Sequence, residues 1–459
     1  MKPIRVAALF CAAALLVASC SRGGDTATTS TSSGSSVSTA AASSSTDPAA
    51  LAAGGFGDIA NVCKAGDAKG ATDVGITDAD IHIGTVTDKG AEIRPELNRE
   101  MYDASVAFTK WCNEHGGING RKIVLDDRDA KLFEFPQRIA ESCDTDLALV
   151  GGGAALDDDP DGARVKCGLP NIAGFVVSPS ARVAALQVQP LPNPVYKSSV
   201  GPYLAMDKLT NGGLQAFGVL TGAIPVSLVV RDAAVETVGI AGGQLVYSSQ
   251  YNILCETNWE PFVQEMRSKG VKVLEFVGEP GCFVSLQKQM DVSGFYPDAT
   301  LLTANFYDTK YAQEGGKTAK NTYLRMAFTP FELASENKAT QDYLDLMKQY
   351  NPSGKTAILG AQTVSSWLLF AKAASECGSN LTRACLYDKA KSVSSWTGGG
   401  LHSREDPSTN TPSPCFAVLK VIDNGFTYDR AATNPNDGIF NCDPKQVVEL
   451  KNDYGVPRD

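Results

Sequence analysis

Three observations predict an α/β fold of two doubly wound parallel-sheet lobes joined by three crossover strands. Residues 80–129 read as one strand–helix–strand unit, the same alternation restarts near residue 200, and proline or glycine interrupts it at three places. With 459 residues, 43% hydrophobic and 20% charged, the chain can fill more than one core.

In the opening unit, Ile81 and Ile83 alternate with polar residues toward Val86, a strand pattern that ends at Thr87, Asp88, Lys89 and Gly90. From Leu97, apolar residues recur as Met101, Ala104, Phe108 and Trp111, the spacing of one helical face. Gly116 and Gly117 stop that helix, because glycine accepts the left-handed conformation that closes a last turn. KIVLDD at 122–127 is the second strand. A βαβ unit builds parallel sheet and leaves ligand sites at the carboxyl ends of strands, so the loop Thr87 to Arg94 is the first candidate for function.

The rhythm continues through a helix at 133–146, a strand at 147–153, and a helix end followed by a strand within 163–177. Three prolines in 187–196 mark the first crossing between lobes. A second set follows: helix 200–211, strand 216–221, helix 225–241 and strand 244–251. Thr257 with Glu260 has the capping-box spacing for a helix that buries Trp259, Phe262, Val263 and Met266 and closes at Gly270. Strands are expected at 272–278 and 299–305, and a second crossing at 322–328. Two helices come next, one burying Tyr343, Leu346, Met347 and Tyr350, the other Val364, Trp367, Leu368 and Ala371. Glycine and proline at 395–414 mark the third crossing, and Asn424-Gly425 between alternating runs predicts a hairpin. The expected bounds are 76–196 with 328–395 for lobe 1, and 197–327 with 396–459 for lobe 2.

Lys2 and Arg5 before an apolar run from Val6 to Ala18 predict a signal peptide over 1–19, too short to span a bilayer stably. Val17-Ala18-Ser19-Cys20 resembles a bacterial lipobox, in which the Cys20 thiol carries the lipid. Residues 20–52 are rich in Ser, Thr, Ala and Gly and are expected to form a flexible tether, with an amino-terminal extension at 53–75. The formal net charge is −10, and loss of the leader makes it more negative, which argues against a nucleic-acid partner. Twelve cysteines, less Cys11 and Cys20, leave an even set in an exported chain, which favours disulfides over metal. Counting leaves the connectivity open. A short-loop rule pairs Cys63 with Cys112, Cys143 with Cys167, Cys255 with Cys282, Cys377 with Cys385, and Cys415 with Cys442.

GGINGRKI at 116–123, the acidic strand end Asp126-Asp127, and the GGL segment followed by a terminal NG hairpin resemble the type I periplasmic binding proteins. More narrowly they resemble the branched-chain-amino-acid-binding (Leu/Ile/Val-type) substrate-binding lipoproteins of ABC transporters, over roughly residues 76–445. The resemblance implies an exported monomer, lipid-anchored to the outer face of the bacterial cytoplasmic membrane. It implies a small-molecule ligand clamped between two lobes and handed to an ABC-transporter permease, with no cofactor and no chemistry on the ligand.

On this reading the cleft is rimmed by Thr87 to Arg94, Gly151 to Leu156 and Phe175 to Ser180 from lobe 1, and by Thr221 to Pro225, Gly278 to Cys282 and Asn305 to Asp308 from lobe 2. Thr87, Asp88 and Lys89 are expected to reach a polar head. The loop that offers amino-acid-binding relatives a hydroxyl is here Gly151, Gly152, Gly153, Ala154 and Ala155, which keeps only backbone N–H groups; Ser178 is the next hydroxyl. Where such relatives hold an ammonium, this chain has Asn305, with Glu279 as a substitute acid and Phe306 and Tyr307 to enclose an apolar part. Helix 225–241 starts apolar, with Ser227 its one obvious hydroxyl. Asp157, Asp158 and Asp159 either attract a cation or cap a helix start, and their spacing is not that of an EF-hand loop. These departures favour a less charged ligand than a plain amino acid: an amide, a carboxylic acid or a small hydrophobic or lipid-derived metabolite.

An enzyme is disfavoured by the lack of GxSxG, HExxH and GxxxxGK[ST] motifs, and three histidines leave few general bases. With no CxxC motif, a zinc site is not expected. A sensor of the cell envelope on the same fold is the other reading.

Overall fold

The computed structural model describes residues 49–454 apart from 160 and 453. The expected signal peptide, Cys20 and most of the tether lie outside the described residues. The tether's carboxyl end is corrected: α1 (Ala49–Ala52) is a helical turn, Leu51 is buried, and its carbonyl accepts from Trp111 Nε1 at 2.9 Å. An apolar residue within reach of a buried indole is enough to hold a segment whose composition predicts freedom.

Lobe 1 begins with β1 (Asp80–Thr87), α2 (Arg99–Glu114) and β2 (Lys122–Asp129). The strands run parallel with Asp80 opposite Lys122 and Thr87 opposite Asp129. Met101, Ala104, Phe108 and Trp111 are all fully buried, as their spacing predicts. Gly116 and Gly117 have φ of 98° and 71°, and a β-carbon on Gly117 would lie 2.0 Å from the Arg121 carbonyl. Next come α3 (Phe135–Thr145), β3 (Ala148–Val150), α4 (Ala163–Lys166), β4 (Asn171–Ile172), α5 (Pro179–Arg182) and β5 (Gln187–Val188). The sheet order is β2-β1-β3-β4-β5.

After a crossing that carries β6 (Lys197–Ser199), lobe 2 repeats the pattern. Its elements are α6 (Gly201–Leu209), β7 (Phe217–Gly222), α7 (Pro225–Ile240), β8 (Leu245–Tyr251), α8 (Glu260–Ser268) and β9 (Val273–Val277). They continue with α9 (Pro280–Ser293), β10 (Ala299–Leu302), α10 (Thr309–Gly315) and β11 (Thr322–Met326). Strands β8-β7-β9-β10-β11 are all parallel, and β12 (Cys415–Ile422) and β13 (Gly425–Tyr428) add an antiparallel edge. The predicted hairpin turns at Asn424, whose φ is 60°. The capping box at Thr257 is not formed. Asn258 Oδ1 accepts from Glu260 N at 3.1 Å, and the Glu260 carboxylate turns to Ser293 at 2.8 Å and to Gln289. The asparagine one position nearer the helix reaches the amide first.

Between the second and third crossings the chain returns to lobe 1 as α11 (Lys338–Tyr350), α12 (Ile358–Cys377) and α13 (Arg383–Lys391). Trp367 stacks on Phe108 with centroids 5.5 Å apart, and its Nε1 donates to Ser105 Oγ at 2.8 Å. Thr363 and Ser366 donate to the carbonyls of Gly151 and Ala173, at 2.6 and 3.1 Å, so α12 fixes the ends of β3 and β4. The second and third crossings pair with each other through Thr329 N to Leu401 O (2.9 Å) and Ser403 N to Ala327 O (2.8 Å). The chain ends with α14 (Arg430–Thr433), β14 (Asn441–Cys442) against β12, and β15 (Val447–Glu449) against β6.

Five disulfides join Cys63 to Cys112, Cys143 to Cys167, Cys255 to Cys282, Cys377 to Cys385 and Cys415 to Cys442, the pairs that the short-loop rule selects.

Candidate functional site

Both parallel sheets have the order in which the first strand sits between the second and the third. In such sheets the chain leaves the strands of the two halves in opposite directions, and a crevice opens at their carboxyl ends. Here those ends face each other across a cleft of about 530 Å³. From lobe 1 it takes Arg94 and Asn98 after β1, Ala155 after β3, and Phe175 and Val177 after β4. Lobe 2 contributes Ile224, Val226 and Ser227 after β7, and Ile253 after β8. It also contributes Glu279 after β9, and Asn305 and Asp308 after β10.

The apolar lining comes from both lobes, with Phe175, Val177 and Leu359 from lobe 1 and Ile224, Val226 and Ile253 from lobe 2. Arg94 Nη2 stands 3.1 Å from Glu279 Oε2, a pair that spans the two lobes. Lys355 Nζ lies 3.1 Å from Glu100 Oε2 on its own lobe and 2.8 Å from Asp308 Oδ2 on the other. Burial raises the Glu100 carboxyl above its ordinary value, with Lys355 pulling it back. For Lys355, burial would lower the amine, but Glu100 and Asp308 outweigh it and hold the ammonium above its ordinary value. The arrangement can enclose an organic molecule and hold it by shape and a few polar contacts.

A family model described as periplasmic binding protein matches residues 196–426, just over half of the chain. The chain belongs to the periplasmic binding protein family. Members of this family bind solutes. A fatty acid ABC transporter substrate-binding protein from Thermomonospora curvata is similar in structure, with TM-score 0.63 and 14% identity over 80% of this chain and 95% of that one. A leucine binding protein from Thermotoga maritima gives 0.61 and 14%, over 76% and 97%. A solute binding protein of an ABC transporter from Rhodopseudomonas palustris, in complex with 3,4-dihydroxy benzoic acid, gives 0.60 and 14%, over 76% and 95%. At these identities the likeness shows the type I periplasmic binding protein fold. A search of curated proteins finds no match.

Of the residues expected at the ligand, this periplasmic binding protein brings Ala155, Glu279 and Asn305 to the cleft. Thr87, Asp88 and Lys89 do not line it. Thr87 and Asp88 are fully buried, and Lys89 pairs with Asp127 at 2.7 Å and covers the Tyr102 ring. Asp88 is a loop clamp: its two oxygens accept from Leu132 N at 2.8 Å and Ala155 N at 2.6 Å. Burial raises its carboxyl above the ordinary value, and those two amides oppose the rise. Asp88→Ala is expected to lower stability by about 2 kcal/mol, since it orphans two amides. Faster hydrogen exchange at the Ala155 amide would report it, and unchanged exchange there would count against the clamp.

The backbone N–H groups expected for an anion are partly engaged within the loop. Gly151 N donates to Ile172 O at 2.9 Å, Gly153 N to Val86 O at 2.8 Å, and Ala155 N to Asp88. Gly152, Gly153 and Ala154 line a separate cavity of about 120 Å³ inside lobe 1. Ser178 caps α5, accepting from Ala181 N at 3.3 Å, and stands outside the cleft. Phe306 and Tyr307 are core residues. Phe306 sits edge-on to Phe283 and Tyr311 at 5.7 and 5.5 Å, and Tyr307 donates to Glu332 at 2.5 Å and packs on Phe426 at 4.7 Å. A 3₁₀ turn at Ala304–Phe306 swings both rings inward while leaving Asn305 at the surface of the cleft. Asp157 accepts from Val177 and Ser178 N, both at 2.7 Å, and Asp159 from Ala163 N at 3.0 Å. Asp159 thus caps the start of α4 and Asp157 ties down the loop before α5, and among the described residues no metal-holding cluster forms.

Arg94, Glu100, Asp308 and Lys355 are the members of the cleft's ion pairs that the expected ligand set omits. Arg94 and Asp308 stand at the edges of loops already singled out, so loop position was a usable signal. Glu100 and Lys355 gave none, because they meet only through the packing of α11 and α12 onto α2.

Proposed function

We propose that this protein is an extracytoplasmic solute-binding lipoprotein. It clamps a small organic ligand with an apolar body between lobe 1 (76–196 and 328–395) and lobe 2 (197–327 and 396–459) and delivers it to an ABC importer. The observation that carries the reading is the cleft of about 530 Å³ lined from both lobes, with apolar side chains on each and ion pairs between them. The similar solved structures are described with fatty acid, leucine or 3,4-dihydroxy benzoic acid, a spread that supports a small organic ligand without selecting one. Lipid attachment at Cys20 keeps the protein near its permease. Binding followed by hinge closure requires no turnover.

Mass spectrometry of protein purified without denaturation, with a thermal-shift panel of amino acids, amides, aromatic acids and short fatty acids, tests it. A compound that raises the midpoint is expected to lose at least about tenfold in affinity on Val226→Trp, which fills apolar space in the cleft. Scattering should give a smaller radius with ligand than without. Unaltered binding by the tryptophan variant, or a panel and a native preparation both empty of ligand, would sink the reading.

A further inference from the structure

Lys355 lies in the turn between α11 and α12, and its backbone is tied down: Lys355 N donates to Asp103 Oδ2 at 2.8 Å. Asn351 Nδ2 donates to the Asp103 carbonyl at 3.1 Å, and Gly354 N returns to Asn351 O at 2.8 Å. A β-carbon on Gly354 would meet Asn351 Nδ2 at 2.5 Å, so the turn is packed onto α2 without slack. From this fixed root the side chain delivers its ammonium between two carboxylates on opposite lobes, Glu100 at 3.1 Å and Asp308 at 2.8 Å.

Neither carboxylate is free to turn away. Asp308 caps α10, with Oδ1 accepting from Lys310 N at 2.7 Å, which aims Oδ2 at the lysine. Glu100 is on the buried side of the first turn of α2, with a side chain only 7% exposed. A buried carboxylate needs a cation nearby or it gives up its charge. The chain supplies that cation itself, at a point in the cleft where an incoming amine would otherwise meet two carboxylates.

Resting on the reading of the cleft as a solute site, we infer that Lys355 is a resident ammonium that determines specificity: the cleft takes organic ligands without an ammonium group. An α-amino acid or amine would have to displace Lys355 or sit beside a like charge in a partly desolvated wall, whereas a neutral amide or other uncharged body meets no such conflict. The acids and bases lining the cleft also disfavour a strongly anionic ligand, because Glu96, Glu100, Glu279, Asp308 and Glu314 outnumber Arg94, Lys310 and Lys355.

The test measures isopentylamine binding to the full chain by calorimetry and thermal shift at neutral pH, beside 4-methylpentanamide as a neutral isostere. Lys355→Ala vacates the position and leaves both carboxylates. It is expected to gain at least about tenfold in amine affinity over the wild type. Adding Asp308→Asn should remove the gain. Lys355→Met, which keeps the packing stem, guards against misfolding and should gain in the same direction. Amine binding to the wild type as tight as to Lys355→Ala, or no gain in either variant, overturns the inference. Val226→Trp placed on Lys355→Ala separates this from failure of the cleft reading. If the gain disappears, the amine binds in the cleft; if it persists, the site lies elsewhere and both readings fall.

Discussion

Arg325→Met is expected to destabilise the protein by about 3–5 kcal/mol, as the removal of one partner from a buried ion pair does. Glu275 on β9 is fully buried within lobe 2. Its oxygens accept one hydrogen bond each, from the Tyr203 hydroxyl at 2.7 Å and from Arg325 Nη2 at 3.0 Å, while Arg325 Nη1 donates to the Tyr203 hydroxyl at 2.9 Å. The three residues come from α6, β9 and β11, so the triad ties a helix to two strands that flank β10. Methionine matches the arginine stem but leaves a carboxylate facing a phenol in an apolar layer. Urea unfolding of the variant would measure the loss. The double variant Arg325→Met, Glu275→Gln should recover most of it, because the charge is then gone. A loss under about 1 kcal/mol in the single variant, or no recovery in the double, would show that the triad is solvated in practice.

A second effect of a few kcal/mol concerns pH and the crossing segments. Glu405 pairs backbone to backbone with Trp396, accepts from Ser403 Oγ at 2.9 Å, and is buried. Burial pushes its carboxyl from 4.5 up to about 8. His402, three residues earlier, rests on Phe328 and contacts Ser365 Oγ at 2.8 Å through Nε2. Burial lowers its imidazole from 6.5 to about 4. The signs follow from proton counts. Between pH 4.5 and 8 the folded state keeps a Glu405 proton that the unfolded state has lost, so this group makes stability fall as pH rises. Between pH 4 and 6.5 the unfolded state binds a His402 proton that the folded state refuses, so that group makes stability fall as pH drops. The two slopes oppose each other from pH 4.5 to 6.5 and leave Glu405 alone above it. Stability is expected to drop by about 2 kcal/mol between pH 6.5 and 8, and Glu405→Gln should flatten that window. The same drop in the glutamine variant would assign it to another group.

The sequence was most informative where a single periodic pattern decides the outcome. The face Met101, Ala104, Phe108, Trp111 is buried because helical spacing leaves those side chains no other common direction, and β1 ends at Thr87 where its alternation ends. The doubly wound order followed from the repeated rhythm of elements. Loop side chains were legible only by position. Asp88 turns inward because Leu132 and Ala155 amides, far along the chain, converge on it. Phe306 and Tyr307 face the core because a short 3₁₀ turn shifts their phase relative to β10. Lys355 was invisible for the same reason on a larger scale: its partners Glu100 and Asp308 belong to segments that meet it only after both lobes have formed.

The five disulfides each close within one lobe or between lobe 1 and the extension that wraps it. Among the described residues no sulfur bridge links lobe 1 to lobe 2. Covalent reinforcement, worth about 2–4 kcal/mol for a bridge of ordinary loop size, therefore stiffens the jaws and leaves the joint untouched. In the proposed clamp, oxidation of these cysteines raises the resistance of each lobe to heat and proteases and places no covalent limit on closure. Durability rests on bonds inside each lobe, whereas grip, in the proposed clamp, rests on the non-covalent contacts between them.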